Sequence, residues 1–304
     1  MAKMSRRKAL QWSGGAALGT AFMGAAPVLS AQGAPAAESA SAAQPEMKVV
    51  KRGRLKQSVC RWNYAKIPLE DLCAAIAGMG LTAIDLLQPD EWPVAKAHGL
   101  TCSMAYAGGG SIPNGFNNPA NHDKLVQDLT DGIPKAAAAG LPNVITFFGN
   151  HQPGMSDADA IQNCVTGLNR IKNVAEDHNV TVCVELLNSL VNHKGYQGDH
   201  TAFGVEVIKG VDSPRVKLLY DIYHMQIMEG NVIDTIRKNI QYIAHFHTGG
   251  VPGRHELDDS QELNWRAIAL AIVATGYDGY MAHEFTPVRD PLTSLREAVS
   301  LCDI

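Results

Sequence analysis

The stretches VTVCVE (180–185), VKLLYD (216–221), IAHFH (243–247) and GYMAHE (279–284) share one plan: a β-branched and aliphatic run that ends on a metal-capable side chain. Those ends are Glu185, Asp221, His247 and Glu284, separated by 36, 26 and 37 residues. Each step fits one strand, one helix and two loops. Such spacing places four ligand-type residues at the same end of four consecutive parallel strands, where open sheets and barrels hold their sites. One acidic residue ending a strand says little, because carboxylates also cap turns and helices. Four in successive units point to a metal site.

Working outward, four more strand-like runs precede these: LKQSVC (55–60), TAIDLL (82–87), LTCSMAY (100–106) and NVITFF (143–148). Helical patterns fill the gaps at 68–79, 120–139, 157–178, 205–210, 232–242 and 263–275. The first has a proline in its opening turn and stops at Gly78-Met79-Gly80, and the third opens on Ser156 as a cap. Strand–helix alternation eight times over predicts an α/β fold, a single-domain (β/α)8 TIM barrel over residues 55–304.

The chain begins differently. Ser5-Arg6-Arg7-Lys8-Ala9-Leu10 is a twin-arginine pattern, followed by an Ala/Gly-rich apolar stretch (12–31) and small-residue cleavage options (31–36). Residues 1–36 read as an export signal directing the protein to the periplasm already folded, and 37–54 as a flexible tether. The Ala/Gly-rich stretch is too weakly hydrophobic for a stable membrane span, and none is expected after processing. Removing Lys3, Arg6, Arg7 and Lys8 with the leader takes the net charge from −4 to −8. That charge disfavours a nucleic-acid partner, which requires a basic face. Six cysteines occur without a CxxC, and export of a folded chain makes buried thiols the expectation. Homo-oligomer formation is left open.

Three carboxylates and an imidazole suit a divalent ion, Mn²⁺ or Mg²⁺ first, with Co²⁺ or Zn²⁺ as alternatives. Four protein ligands leave positions for two adjacent substrate oxygens. A carbonyl polarised there acidifies the neighbouring C–H, and a nearby carboxylate removes the proton to give an enediolate. Glu185 and Glu284 belong to opposite sides of the ligand set and are the catalytic pair on this reading. The expected reaction is aldose–ketose isomerisation or ketose epimerisation of a small hydroxy-carbonyl compound or sugar. His224 emerges just beyond its strand as a partner for a substrate oxygen. Arg254, in the glycine-rich loop 248–256, suits a substrate carboxylate or hydroxyl, although a surface salt bridge is an equal reading. Trp62, with Trp92 and Tyr106, offers an apolar wall for a sugar face, with core packing as the default for each. Asn150 and His151, in the turn after the fourth strand, are further substrate-binding candidates.

The segments VCVELLN (182–188), DIYHMQIMEGN (221–231), PGRHELD (252–258) and GYDGYMAHEF (276–285) resemble the signature segments of the hydroxypyruvate isomerase family. That family belongs to the xylose-isomerase-like barrels, together with tagatose and psicose 3-epimerases. The resemblance implies metal at Glu185, Asp221, His247 and Glu284, the two glutamates as acid and base, and substrate contact at His224 and Arg254. The nominal reaction is hydroxypyruvate to 2-hydroxy-3-oxopropanoate. One departure matters: typical bacterial hydroxypyruvate isomerases carry glutamine at the third ligand position, whereas His247 matches the epimerases. An exported location also favours a free or oxidised sugar. Two other readings are weaker. A nuclease of the endonuclease IV type wants more histidines and a basic groove. A non-catalytic sugar-binding protein needs no paired proton carriers.

Overall fold

A computed structural model describes residues 48–304. The expected leader and the first part of the tether lie outside the described residues. Strands β1 (Lys56–Val59), β2 (Ala83–Ile84), β3 (Thr101–Cys102), β4 (Asn143–Phe147), β5 (Thr181–Leu186), β6 (Val216–Asp221), β7 (Ile243–Thr248) and β8 (Tyr280–His283) are all parallel to their neighbours. Six pair in the order β1-β8-β7-β6-β5-β4, and β2 pairs with β3. Single bridges at Cys60–Asp85 and Ala105–Val144 join the two sheets. The result is the expected TIM barrel, closed through its early strands by short pairings.

Helices α1 (Leu69–Met79), α2 (Trp92–Ala97), α3 (His122–Ala138), α4 (Asp157–Asn169), α5 (Lys172–Asp177), α6 (Thr201–Val211), α7 (Ile222–Met228), α8 (Val232–Asn239), α9 (Trp265–Ala274) and α10 (Pro291–Cys302) surround the strands. Ser156 caps α4 in a full capping box with Asp159, as its sequence suggests. The single helix expected over 157–178 is broken. Arg170 and Ile171 donate to Gly167 and Leu168, so the turn tightens and Ile171 rotates into the core. Every residue of β5 is buried, which explains its unbroken apolar run. Among the described residues no helix is long and apolar enough to cross a membrane.

The end of the stretch read as a tether is bound to the barrel. Val49 and Val50 donate their N–H groups to the Met79 carbonyl at 2.8 and 3.0 Å. The N–H groups of Lys51, Arg52 and Gly53 then converge on the Asp303 carboxylate at 2.7, 2.9 and 2.8 Å. Residues 48–53 therefore connect the end of α1 to the end of α10. All six cysteines are free and buried.

Candidate active site

The parallel register brings the four strand-end residues into one cluster. Glu185 lies next to the end of β5, Asp221 closes β6, His247 is on β7 and Glu284 follows β8. Asp221 stands directly beside His247 across the β6–β7 pairing. Each of the four offers a ligand atom within 4.8 Å of all the others, and all four are buried. Asp221 also caps α7 by accepting from the His224 N–H at 3.1 Å, which orients its carboxylate.

The donor set fits a hard divalent ion. His247 Nδ1 lies 2.7 Å from Glu284 Oε2 and 3.4 Å from Glu185 Oε1, yet makes no aligned hydrogen bond to either. A buried ring nitrogen with no aligned partner, facing a cluster of three carboxylates, is the arrangement a cation satisfies.

Arg254 supplies the local positive charge. Its Nη2 is 2.6 Å from Glu284 Oε2 and 3.2 Å from Asp221 Oδ2. The guanidinium lies 5.3 Å from the ring centroids of both Trp62 and Tyr223, and Arg254 itself adopts a positive φ of 60°. Trp62 is 44% exposed, but its indole N–H donates to Glu284 Oε1 at 2.7 Å. Arg254 therefore forms its ion pairs inside the cluster, not on the surface as a plain surface salt bridge would.

These contacts drive the two glutamates apart. Burial raises the Glu185 carboxyl above its ordinary range, only partly offset by the nearby His247 ring. Burial also opposes ionisation of Glu284, but Arg254 and His247 overcome it and hold Glu284 well below the usual range. Burial raises Asp221 against the pull of Arg254. Burial likewise opposes charge on His247, yet Glu284 and Cys60 carry it well above an ordinary histidine.

The sequence reading missed Asp85. It lies just beyond β2, fully buried, and accepts from His245 Nε2 at 2.8 Å and His247 Nε2 at 3.0 Å. Ser58 donates to its other oxygen at 3.0 Å, and Ser103 makes a short bond there. Asp85 fixes the His247 ring so that Nδ1 faces the carboxylates, the usual second tie of a metal-binding histidine. Burial opposes its ionisation, but His245 and His247 hold it well below the ordinary aspartate range. The signal was present: TAIDLL is another apolar run with an acid near its end.

The remaining candidates separate. His224 is fully buried, with Nε2 3.6 Å from Asp221 Oδ2. Burial, with the Glu185 and Glu284 charges, raises the Tyr106 hydroxyl above the usual tyrosine range. Trp92 packs in the core with its N–H on the Leu87 carbonyl. Asn150 and His151 are tied into neighbouring loops. The Asn150 carbonyl accepts from Asn117 and Gln152, and the His151 N–H donates to the Gly195 carbonyl.

Residues 74–303 match the family described as the xylose isomerase-like TIM barrel. A 2-oxo-tetronate isomerase from Cupriavidus necator is 30% identical over 230 residues, covering 71% of this chain and 86% of that protein. A second, from Pectobacterium atrosepticum, is 26% identical over 74% of this chain and 88% of its own length. Among solved structures, one titled AP endonuclease, family 2, from Brucella melitensis superposes with a TM-score of 0.68. It shares 21% identity over 79% of this chain and 97% of that chain, a likeness of fold alone.

Proposed function

This chain belongs to the xylose isomerase-like TIM barrel family, and on that premise we propose that it isomerises a small 2-hydroxy carbonyl acid through an enediolate, with a divalent metal bound. It is an enzyme of the isomerase class, in keeping with relatives named 2-oxo-tetronate isomerases. The observation that carries the reading is the convergence of Glu185 and Glu284, from β5 and β8, on one buried imidazole. A binding protein needs no such pair, and a net charge of −4 disfavours a nuclease, which works from a basic groove.

Glu185, Asp221, His247 and Glu284 would hold a divalent ion, which would supply the Lewis acidity that makes a C–H beside a carbonyl acidic. The protein supplies the proton transfers. With hydroxypyruvate, a carboxylate takes a proton from the hydroxymethyl carbon, leaving the electron pair in an enediolate. Returning the proton to the former carbonyl carbon, with the hydroxyl proton passing between the oxygens, gives 2-hydroxy-3-oxopropanoate. Glu185, whose charged form burial disfavours, suits a group that takes and returns a proton. Glu284, held ionised beside Arg254, balances charge and faces the substrate from the other side. Arg254 gives a substrate carboxylate a fixed cationic partner.

His247 in the third ligand position favours a second reading, epimerisation of a ketose, in which both glutamates exchange protons at one carbon from opposite faces. One experiment separates the two. The metal-loaded protein is incubated in D₂O with hydroxypyruvate, a 2-oxo-tetronate and a panel of ketoses, and followed by NMR. Deuterium entry with carbonyl migration marks isomerisation, whereas deuterium entry with the carbonyl in place marks epimerisation. No exchange with any compound removes the enediolate. Glu185→Gln and Glu284→Gln should each lower exchange by about 10²–10⁴-fold while circular dichroism stays unchanged. Undiminished exchange in either variant removes that residue from the proton path.

A further inference from the structure

The orientation and proton of His224 are set by one residue that has no role so far. His224 Nδ1 faces two donors of Asn188: the backbone N–H at 3.1 Å and the side-chain Nδ2 at 2.6 Å. The Asn188 amide cannot be turned around without loss, because Oδ1 accepts from the N–H groups of Val191 at 3.0 Å and Asn192 at 2.9 Å. A carbonyl oxygen satisfies those two donors and an amino group does not. The second Nδ2 proton goes to Asn192 Oδ1 at 2.8 Å, which also receives the Tyr223 hydroxyl at 2.9 Å. The Asn188 carbonyl takes the His193 N–H at 3.1 Å, so every polar group of Asn188 is engaged. The His224 ring sits between His193 and Tyr223, with centroids 5.2 and 5.0 Å away.

A ring nitrogen that receives two N–H donors has no room for a proton of its own. A neutral imidazole must then carry its proton on Nε2. That nitrogen is buried, has no hydrogen-bond partner and lies 3.6 Å from Asp221 Oδ2, at the edge of the ligand cluster. An unpaired buried donor costs free energy unless something accepts from it. In this pocket the acceptor with most to gain is a substrate oxygen on which negative charge builds.

We propose that Asn188 is a positioning residue that locks His224 in its Nε2–H form, making His224 a standing hydrogen-bond donor to the enediolate oxygen rather than a proton carrier. The lock is a property of the free protein; its catalytic use rests on the isomerase reading above. Preorganised donors of this kind contribute because they are already aimed when charge develops.

The test uses the full-length, Mg²⁺-loaded protein with ¹⁵N-labelled histidine, and His224→Gln to assign the ring resonances. In the wild type, His224 Nε2 should carry the proton and Nδ1 should not. Asn188→Asp keeps an oxygen for the Val191 and Asn192 N–H groups but sets a second oxygen against Nδ1. The proton should move to Nδ1, and kcat for deuterium exchange should fall about 10²–10³-fold while KM changes little. Asn188→Ala retains the backbone donor, should keep the wild-type tautomer, and should lose less activity. A wild-type ring protonated on Nδ1, or an Asn188→Asp ring that does not switch, overturns the lock. A switched ring with undiminished kcat overturns the catalytic role. The ring spectra need no substrate, so they decide the lock even where the isomerase reading itself fails.

Discussion

Asp85 reaches the site through His247. Replacing it with Asn keeps the shape of the side chain but removes the charge that holds two imidazoles, His245 and His247, by their Nε2 atoms. Asp85→Asn should weaken Mn²⁺ binding by about 10–100-fold, the usual cost of losing such a partner. Titration calorimetry on the metal-free protein measures this directly, and unchanged affinity would mean that Asp85 only fills space. The four strand-end residues were legible in sequence because each terminates an apolar run and the runs recur at barrel spacing. Asp85 was not, since its partner His247 lies 162 residues away and a lone strand-end acid has many innocent explanations. Asn188 was hidden for a similar reason: its meaning comes from a ring 36 residues further on. Arg254 was read equally as a clamp or a surface pair, and only packing between Trp62 and Tyr223 placed it inside.

At the scale of elements, helix α3 reaches the barrel through Gly132. A Cβ built there would stand 1.7 Å from the Ala107 carbonyl oxygen, in the chain leaving β3. Gly132→Ala should therefore destabilise the fold by about 1–3 kcal/mol, as other overpacked contacts do, although alanine is the better helix former. Thermal unfolding reads this as a drop of roughly 2–4 °C per kcal/mol for a domain of this size, and a stabilised variant would show that α3 can shift outward freely. The alternation of strands and helices was readable, but the strength of pairing was not. The runs at 82–87 and 100–106 look like full strands, yet β2 and β3 pair over two residues each. Their following residues bend to close the barrel through single bridges, a demand of closure that local sequence does not encode. Helices α2 and α7 were not expected because they are only six and seven residues long, too short for a clear helical period. Helix α10 escaped because no strand follows it to mark its end.

For the whole molecule, Asp303 joins the two ends of the described chain. Burial opposes its ionisation, but the N–H groups of Gly53, Arg52 and Lys51 hold its carboxyl below the ordinary range. A depressed folded-state value means that its contribution is present above the unfolded value, about 3.9, and is lost as pH falls through the folded value. The stability gap between wild type and Asp303→Asn should thus be widest near neutrality and close below about pH 4. Thermal unfolding across pH 3–7 measures it, and a gap independent of pH would remove the carboxylate from this role. Composition and strand–helix spacing pointed to one barrel and an export leader, and the leader lies outside the described residues. They did not show that residues 49–53 bind the barrel, because that attachment depends on Asp303, 250 residues from Gly53.

All six cysteines are free and buried. Burial raises every one of these thiols, Cys73 to about 11 and Cys302 to about 12. Only the thiolate reacts with alkylating reagents, so the closed protein is nearly silent and each cysteine responds when its own surroundings open. The barrel thus contains a set of native clocks, spread from β1 to α10. Cys60, 3.8 Å from His247 Nε2, keeps time for the carboxylate–imidazole cluster, and Cys302, next to Asp303, for the junction of the described chain's ends. Mass spectrometry of alkylation rates then gives a stability map of the molecule with no residue substituted.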